Sequence, residues 1–277
     1  MSGALPSAPS VATAFAAARL LCAPGCFPYH ATWRAFRLAG LKGSPAWHTG
    51  FYAHALASGP ARQPQPRVLV CGSSDETMPR VLATLLSEPI FTVADACPTP
   101  LALVDAWAAR TGIAVATVRS TAPWLAEVTG PFEVIATDGL LSLLLDPADR
   151  TALITRLAAL LSDDGMLLYT TRIAGPSGRL EYDRPGRLVQ ALAAAAWPAP
   201  AAERLRLARH RLRQPARPSP FTTPEQVADA FRAAFGQVRP LTRADPPTAA
   251  LRLHPAFLTR RNSTCVAVAA LAPKDRS

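Results

Sequence analysis

The sequence predicts an α/β fold: a doubly wound, mostly parallel seven-stranded sheet with an antiparallel edge strand, preceded by an N-terminal helical cap. Three observations lead there. From Arg67 onward, short apolar runs alternate with amphipathic stretches, the rhythm of a parallel sheet covered by helices on both faces. The last two apolar runs follow one another without a helical pattern between them, which suits an antiparallel pair at one edge. Ahead of Arg67 lies Gly59-Pro-Ala-Arg-Gln-Pro-Gln-Pro66, a connector with no periodicity that separates two kinds of chain.

The elements follow in order. Residues 1–62 form the cap. Residues 11–22 read as a helix: no basic segment precedes them, and Arg19 interrupts the apolar run as a secretory signal would not allow. Trp33, Phe36, Arg37, Leu38, Phe51, Tyr52 and Leu56 have roughly helical spacing, broken by Gly40, Gly43, Ser44 and Pro45. Residues 63–277 form the main domain. Its first strand is about 67–71, with a helix from Asp75 to Ser87. A strand at 90–95 leads to a helix with Thr99 as N-cap and Pro100 at its first position. Ile113 to Val118 and Phe132 to Thr137 are the third and fourth strands. Asp146-Pro147 opens a helix to Leu161, Ser162 to Gly165 is a tight turn, and Met166 to Ile173 is the fifth strand. Residues 174–220, rich in Gly, Pro and Arg, read as an insertion with helices near 185–196 and 202–213. Thr223-Pro224 opens a helix to Phe235, and 237–241 and 265–271 are the last strands.

The composition sets limits. The chain has 277 residues, enough for one large domain with an appended cap. No run is long and uncharged enough to span a bilayer, so a globular protein of the bacterial cytoplasm is expected, without a membrane partner. The net charge of +10 comes almost wholly from arginine, with Lys42 and Lys274 the only lysines. Abundant Ala, Pro and Arg together are what a GC-rich genome imposes, so nucleic acid is not the expected partner. The Arg-rich stretch from Arg204 to Arg217 reads as a solvated helix face. Oligomers are compatible with the composition.

Five cysteines, an odd number, do not make a disulfide framework. Cys22 and Cys26 are spaced C-x3-C, with His30 the only close third ligand, so no metal site is expected and free thiols are the default.

The first two strand–turn–helix units carry the functional signal. The turn after the first strand has Gly72, which lets backbone approach a ligand, followed by the small hydroxyl residues Ser73 and Ser74. Asp75 stands where it either caps a helix or faces a ligand amino group. The second strand ends in Asp95, then Ala96. An acid there accepts hydrogen bonds from ribose hydroxyls, or caps the next helix. The turn after the third strand, Arg119-Ser120-Thr121, falls near an adenine bound that way. Asp138 ends the fourth strand at the carboxyl edge of the sheet, where such folds bind ligands, or serves the turn with Gly139.

Three segments in this order resemble the class I S-adenosylmethionine-dependent methyltransferases, a Rossmann-like family. They are Val68-Leu-Val-Cys-Gly-Ser-Ser-Asp75, then Phe91-Thr-Val-Ala-Asp-Ala-Cys-Pro-Thr-Pro-Leu101, and Phe132-Glu-Val-Ile-Ala-Thr-Asp138 with Leu160 to Arg172. The resemblance covers about 67–271 and follows a bacterial small-molecule branch. The chain departs from it in the first motif, where Gly72 stands without further glycines, and before the fifth strand, where Asp-Asp-Gly replaces Pro-Gly-Gly. The resemblance implies S-adenosyl-L-methionine as co-substrate, held by Gly72, Ser73, Ser74, Asp75, Asp95, Ala96, Ser120, Thr121 and Asp138. It implies a small-molecule acceptor, anionic or carboxylate-bearing given the arginines of the insertion. Transfer of the aminocarboxypropyl chain, cyclisation, or a non-catalytic cofactor-binding partner are the alternatives. The cap would cover the acceptor. There Tyr29, His30 and His48 are candidate bases, with Trp33, Trp47 and Tyr52 as walls. Arg172, ending the fifth strand, would hold a carboxylate.

Overall fold

The computed structural model describes residues 10–38, 45–57, 63–121, 124–174, 177–180, 184–195, 199–213, 217–235, 237–241 and 263–271. The cap has three helices, α1 (Val11–Leu21), α2 (Phe27–Leu38) and α3 (Thr49–Ala57). Ser10 caps α1 through its hydroxyl, which accepts from the Thr13 N–H at 3.1 Å. The main domain then runs β1 (Arg67–Cys71), α4 (Thr77–Ala83), β2 (Ile90–Asp95), α5 (Pro98–Thr111), β3 (Val115–Arg119), β4 (Phe132–Asp138), α6 (Pro147–Leu160) and β5 (Leu161–Ala174). The insertion holds α7 (Arg184–Ala195) and α8 (Ala201–Arg213), bracketed by a two-stranded ribbon of β6 (Arg179–Leu180) and β7 (Arg217–Pro218). The chain closes with α9 (Pro224–Arg232), β8 (Gln237–Leu241) and β9 (Ser263–Leu271).

The seven-stranded sheet has the order β3-β2-β1-β4-β5-β9-β8. β1 to β5 are parallel, and β9 runs antiparallel to both β5 and β8, so the expected antiparallel pair does close one edge. The strand order reverses at β1, whose two neighbours β2 and β4 leave a crevice at their carboxyl ends.

Alternation along the strands builds two core layers. Leu69, Ile135, Leu167 and Tyr169 face α6 and α9 through Leu153, Leu157, Val227 and Phe231. Val68, Val70, Val93, Val134 and Leu168 face α3, α4 and α5 through Phe51, Met78, Val104 and Trp107. A third cluster joins the cap to the insertion: Phe15, Phe27 and Phe36 pack on Ala191, Ala194 and Leu207. Most of the Arg-rich stretch is solvated, as read from the sequence, but Arg211 is only 2% exposed. Its guanidinium donates to the Pro28 carbonyl at 2.9 Å and to the Thr32 hydroxyl, and it stacks over Phe36.

Three local expectations are corrected. α5 begins at Pro98 with Cys97 as N-cap, not at Thr99, because the Asp95 carboxylate already closes the preceding turn on the Cys97 N–H. α4 is shorter than Asp75 to Ser87, since Asp75 and Glu76 are drawn into ion pairs before it starts. The turn at Ser162 to Gly165 lies within β5, whose Leu161 pairs with Phe132 before the register shifts. The connector at 58–62, the chain between β8 and β9 and the Trp47 side chain lie outside the described residues.

Candidate functional site

The crevice is floored by the ends of β1, β2, β4 and β5. Gly72 leaves β1 with φ +68°, and its N–H donates to the Ala94 carbonyl at 2.9 Å. That left-handed conformation suits glycine. A Cβ there would also meet Leu140 at 3.0 Å. Leu140 thus packs closely on the Gly72 backbone at the top of β1.

The Ser73–Glu76 turn is tied to the cap. Tyr29 Oη and Ser74 Oγ are 2.8 Å apart. Arg37 donates to Asp75 Oδ1 at 2.5 Å, and the Thr77 N–H donates to the same oxygen at 2.9 Å. Arg34 donates to both Glu76 oxygens, at 2.7 and 2.9 Å, and lies 3.8 Å from Asp75 Oδ2. The Ser73 hydroxyl donates to the Asp75 carbonyl. Arg34, Asp75 and Glu76 are all buried. Burial alone would raise the Asp75 carboxyl, but Arg37, Thr77 and Arg34 outweigh it and hold it below the ordinary carboxylate range. Burial and the neighbouring Asp75 charge push Glu76 the other way.

Asp95 is a different acid. Its Oδ1 accepts from the Cys97 N–H at 2.7 Å, and no ion pair to it is present among the described residues. Burial pushes its carboxyl up to about 7, against the backbone N–H groups of Cys97 and Ala96. Ala96 is exposed beside it. From β3, the Ser120 N–H donates to the Asp95 carbonyl at 3.0 Å, and the Ser120 hydroxyl accepts from the Leu125 N–H at 2.9 Å. Ser120 therefore fixes the turn, and Thr121 is exposed next to it.

Asp138, at the end of β4, accepts from the Thr170 hydroxyl at 2.9 Å. Having given its proton to Asp138, Thr170 accepts from Tyr52 Oη, 3.1 Å away. The Gly139 N–H donates to the Thr170 carbonyl at 2.7 Å, so β4 and β5 are latched together beyond the ladder. His48 is 7% exposed, and among the described residues its Nδ1 has no hydrogen-bond partner. Burial lowers its pKa, opposed by Asp138 and reinforced by Arg172. Asp138, Arg172 and His48 thus feel one another's charge.

The structure therefore gathers Gly72, Ser73, Ser74, Asp75, Asp95, Ala96, Ser120, Thr121 and Asp138 along the carboxyl edge of the sheet. Tyr29 lies over them from α2. Burial drives its phenol pKa up, and the charges of Asp138 and Asp95 act in the same direction. His30 packs edge-on against Tyr29 and turns to the cysteines: its Nδ1 stands 3.3 Å from the sulfurs of both Cys22 and Cys97. Sequence reasoning missed Arg34 and Arg37 as partners of the first turn. A signal for them existed: no acidic residue precedes Asp75, so cap arginines that become buried must find acids in the main domain.

No protein-family model matches the chain, and no curated protein matches it. Solved structures do. A candidate exported protein from Bordetella parapertussis superimposes with a TM-score of 0.52 at 18% identity, over 82% of this chain and 67% of the other. A candidate O-methyltransferase from Nostoc punctiforme PCC 73102 superimposes with a TM-score of 0.51 at 14% identity, over 80% of this chain and 55% of the other. The chain thus spans about two thirds of the first neighbour and little more than half of the second. With the strand order, these matches give the chain a Rossmann-like fold of the kind seen in the candidate O-methyltransferase. Among the described residues no helix is long and apolar enough to cross a membrane.

Proposed function

We propose that this protein transfers a methyl group from S-adenosyl-L-methionine to a small, carboxylate-bearing acceptor. The observation that carries this reading is Asp95: a half-buried acid at the end of β2, beside the Gly72 turn, satisfied among the described residues only by backbone N–H groups. A carboxylate so placed has an oxygen free for a pair of ribose hydroxyls. The Gly72 turn, with its positive φ and lack of a side chain, fits a ligand lying against the adjoining backbone.

When bound, S-adenosylmethionine supplies an already activated, electrophilic methyl carbon. The protein's own task is then alignment and proton removal. Asp95 and the Gly72–Ser74 turn hold the nucleoside end, and Ser120 and Thr121 border the adenine. Asp75 is committed to Arg37 and Arg34, so it shapes the turn and does not meet the ligand directly. His48, kept neutral by burial next to Asp138 and Arg172, is the base this geometry favours for an oxygen or nitrogen nucleophile. Arg172 supplies the cation for an acceptor carboxylate. Tyr29 closes the mouth of the crevice through Ser74.

The test is calorimetry with S-adenosylmethionine and S-adenosylhomocysteine, followed by product analysis with a panel of carboxylate-bearing phenols and amines. Binding of both, and release of S-adenosylhomocysteine with at least one acceptor, is expected. Binding of neither, or release of methylthioadenosine alone, overturns the reading.

A further inference from the structure

The thiols of Cys22, Cys26 and Cys97 and the Nδ1 side of His30 converge beside the crevice. Their ligand atoms all lie within 4.8 Å of one another. Cys22 and Cys97 sulfurs are 3.7 Å apart, and Cys26 and Cys97 sulfurs 3.8 Å apart. His30 Nδ1 is 3.3 Å from both Cys22 and Cys97 sulfurs. Four ligands placed tetrahedrally on zinc, at about 2.3 Å for sulfur and about 2.0–2.1 Å for nitrogen, have sulfur–sulfur edges of about 3.8 Å and sulfur–nitrogen edges of about 3.6 Å. The two sulfur–sulfur spacings match those edges, and the two sulfur–nitrogen spacings fall within a few tenths of an ångström of theirs.

We propose that these four side chains form a structural Cys3His zinc site. Cys22-x3-Cys26-x3-His30 gives three ligands from one short segment, the end of α1 and the first turn of α2. The fourth comes from the N-cap of α5, in the main domain. The sequence alone offered only three of the four, so Cys97 is what completes the set. Soft thiolates with one imidazole in tetrahedral array select zinc over the harder divalent ions. Cys97 and Cys26 each sit at a helix N-terminus, where the helix dipole favours a thiolate. The Thr99 hydroxyl, 3.1 Å from Cys22 Sγ, adds an outer hydrogen bond. Binding exchanges the three thiol protons to solvent for three Zn–S bonds, with no change of oxidation state. The site fastens the cap to the β2–α5 turn that carries Asp95.

Metal analysis of the full chain, purified in reductant without chelator, tests this. About one zinc per chain is expected, falling to background in Cys26→Ser and Cys97→Ser proteins whose circular dichroism shows them folded. If those variants fail to fold, cobalt(II) replacement in the wild-type protein decides: thiolate-to-cobalt charge-transfer and tetrahedral ligand-field absorption are expected. A protein that takes up neither ion, or that keeps its zinc in both variants, overturns the proposal. So does a disulfide joining two of the three cysteines in protein isolated with zinc present.

Discussion

Asp75, buried in the turn after β1, and Asp95, half-buried at the end of β2, are handled in opposite ways. Asp75, 1% exposed, is enclosed by Arg34, Arg37 and the Thr77 N–H, and its carboxyl is held low. Asp95 has a backbone cap and no cation paired with it among the described residues, and burial holds its carboxyl high. The first pairs its charge with cations of the protein. The second leaves acceptor capacity unspent, which in a crevice at a strand-order reversal is what a ligand site requires. The difference teaches that position on the fold does not assign a role: both acids sit in turns where the fold binds ligands, and only their partners tell them apart.

The comparison breaks first at the Asp75 turn. Replacing Arg34 with Met leaves Glu76 buried without its cation and is expected to cost about 3–5 kcal/mol, read as a large fall in the urea midpoint. Asp75→Asn is expected to cost roughly 2–3 kcal/mol at pH 7. The sign with pH follows from the lowered carboxyl, which faces Arg34, Arg37 and Glu76. A carboxyl lowered in the folded state stabilises above its unfolded value and loses that contribution as pH falls through the folded one. The gap between wild type and Asp75→Asn should therefore be full at neutral pH and narrow as acid is added below the ordinary carboxylate range. A constant gap across pH would show that the charge is not what matters.

Two smaller changes sharpen the contrast. Tyr29→Phe removes the contact to Ser74 and is expected to cost about 1 kcal/mol, with the sheet unchanged by circular dichroism. Asp95→Asn keeps an acceptor for the Cys97 N–H and should change stability by less than about 0.5 kcal/mol. If Asp95→Asn destabilises as much as Asp75→Asn, the two acids are both structural and the contrast fails.

Much of the architecture was legible because it is written in short-range pattern. Short apolar runs gave β1, β2, β4 and the late pair to within a residue or two, and the acid ending β2 stood out in the same reading. What was hidden depended on distance along the chain. Arg34 meets Glu76 across 42 residues, and Cys22 meets Cys97 across 75. No local spacing encodes such contacts. The Thr99 N-cap expectation failed for a related reason: Thr99 and Cys97 are both acceptable on propensity, and the choice fell to the Asp95 carboxylate, which takes the Cys97 N–H and leaves Pro98 to open the helix. His48 and Arg172 were readable as candidate types but not as neighbours, since the cap and β5 meet only in three dimensions.

The most direct test of the central claim is the affinity of S-adenosylhomocysteine for the wild-type protein and for Asp95→Asn, measured by calorimetry at neutral pH. A charge-assisted hydrogen bond is worth about 1.5–3 kcal/mol, so the account predicts binding by the wild type and a loss of roughly tenfold or more in the variant. Equal affinity in the two proteins, or no binding by the wild type, would contradict it.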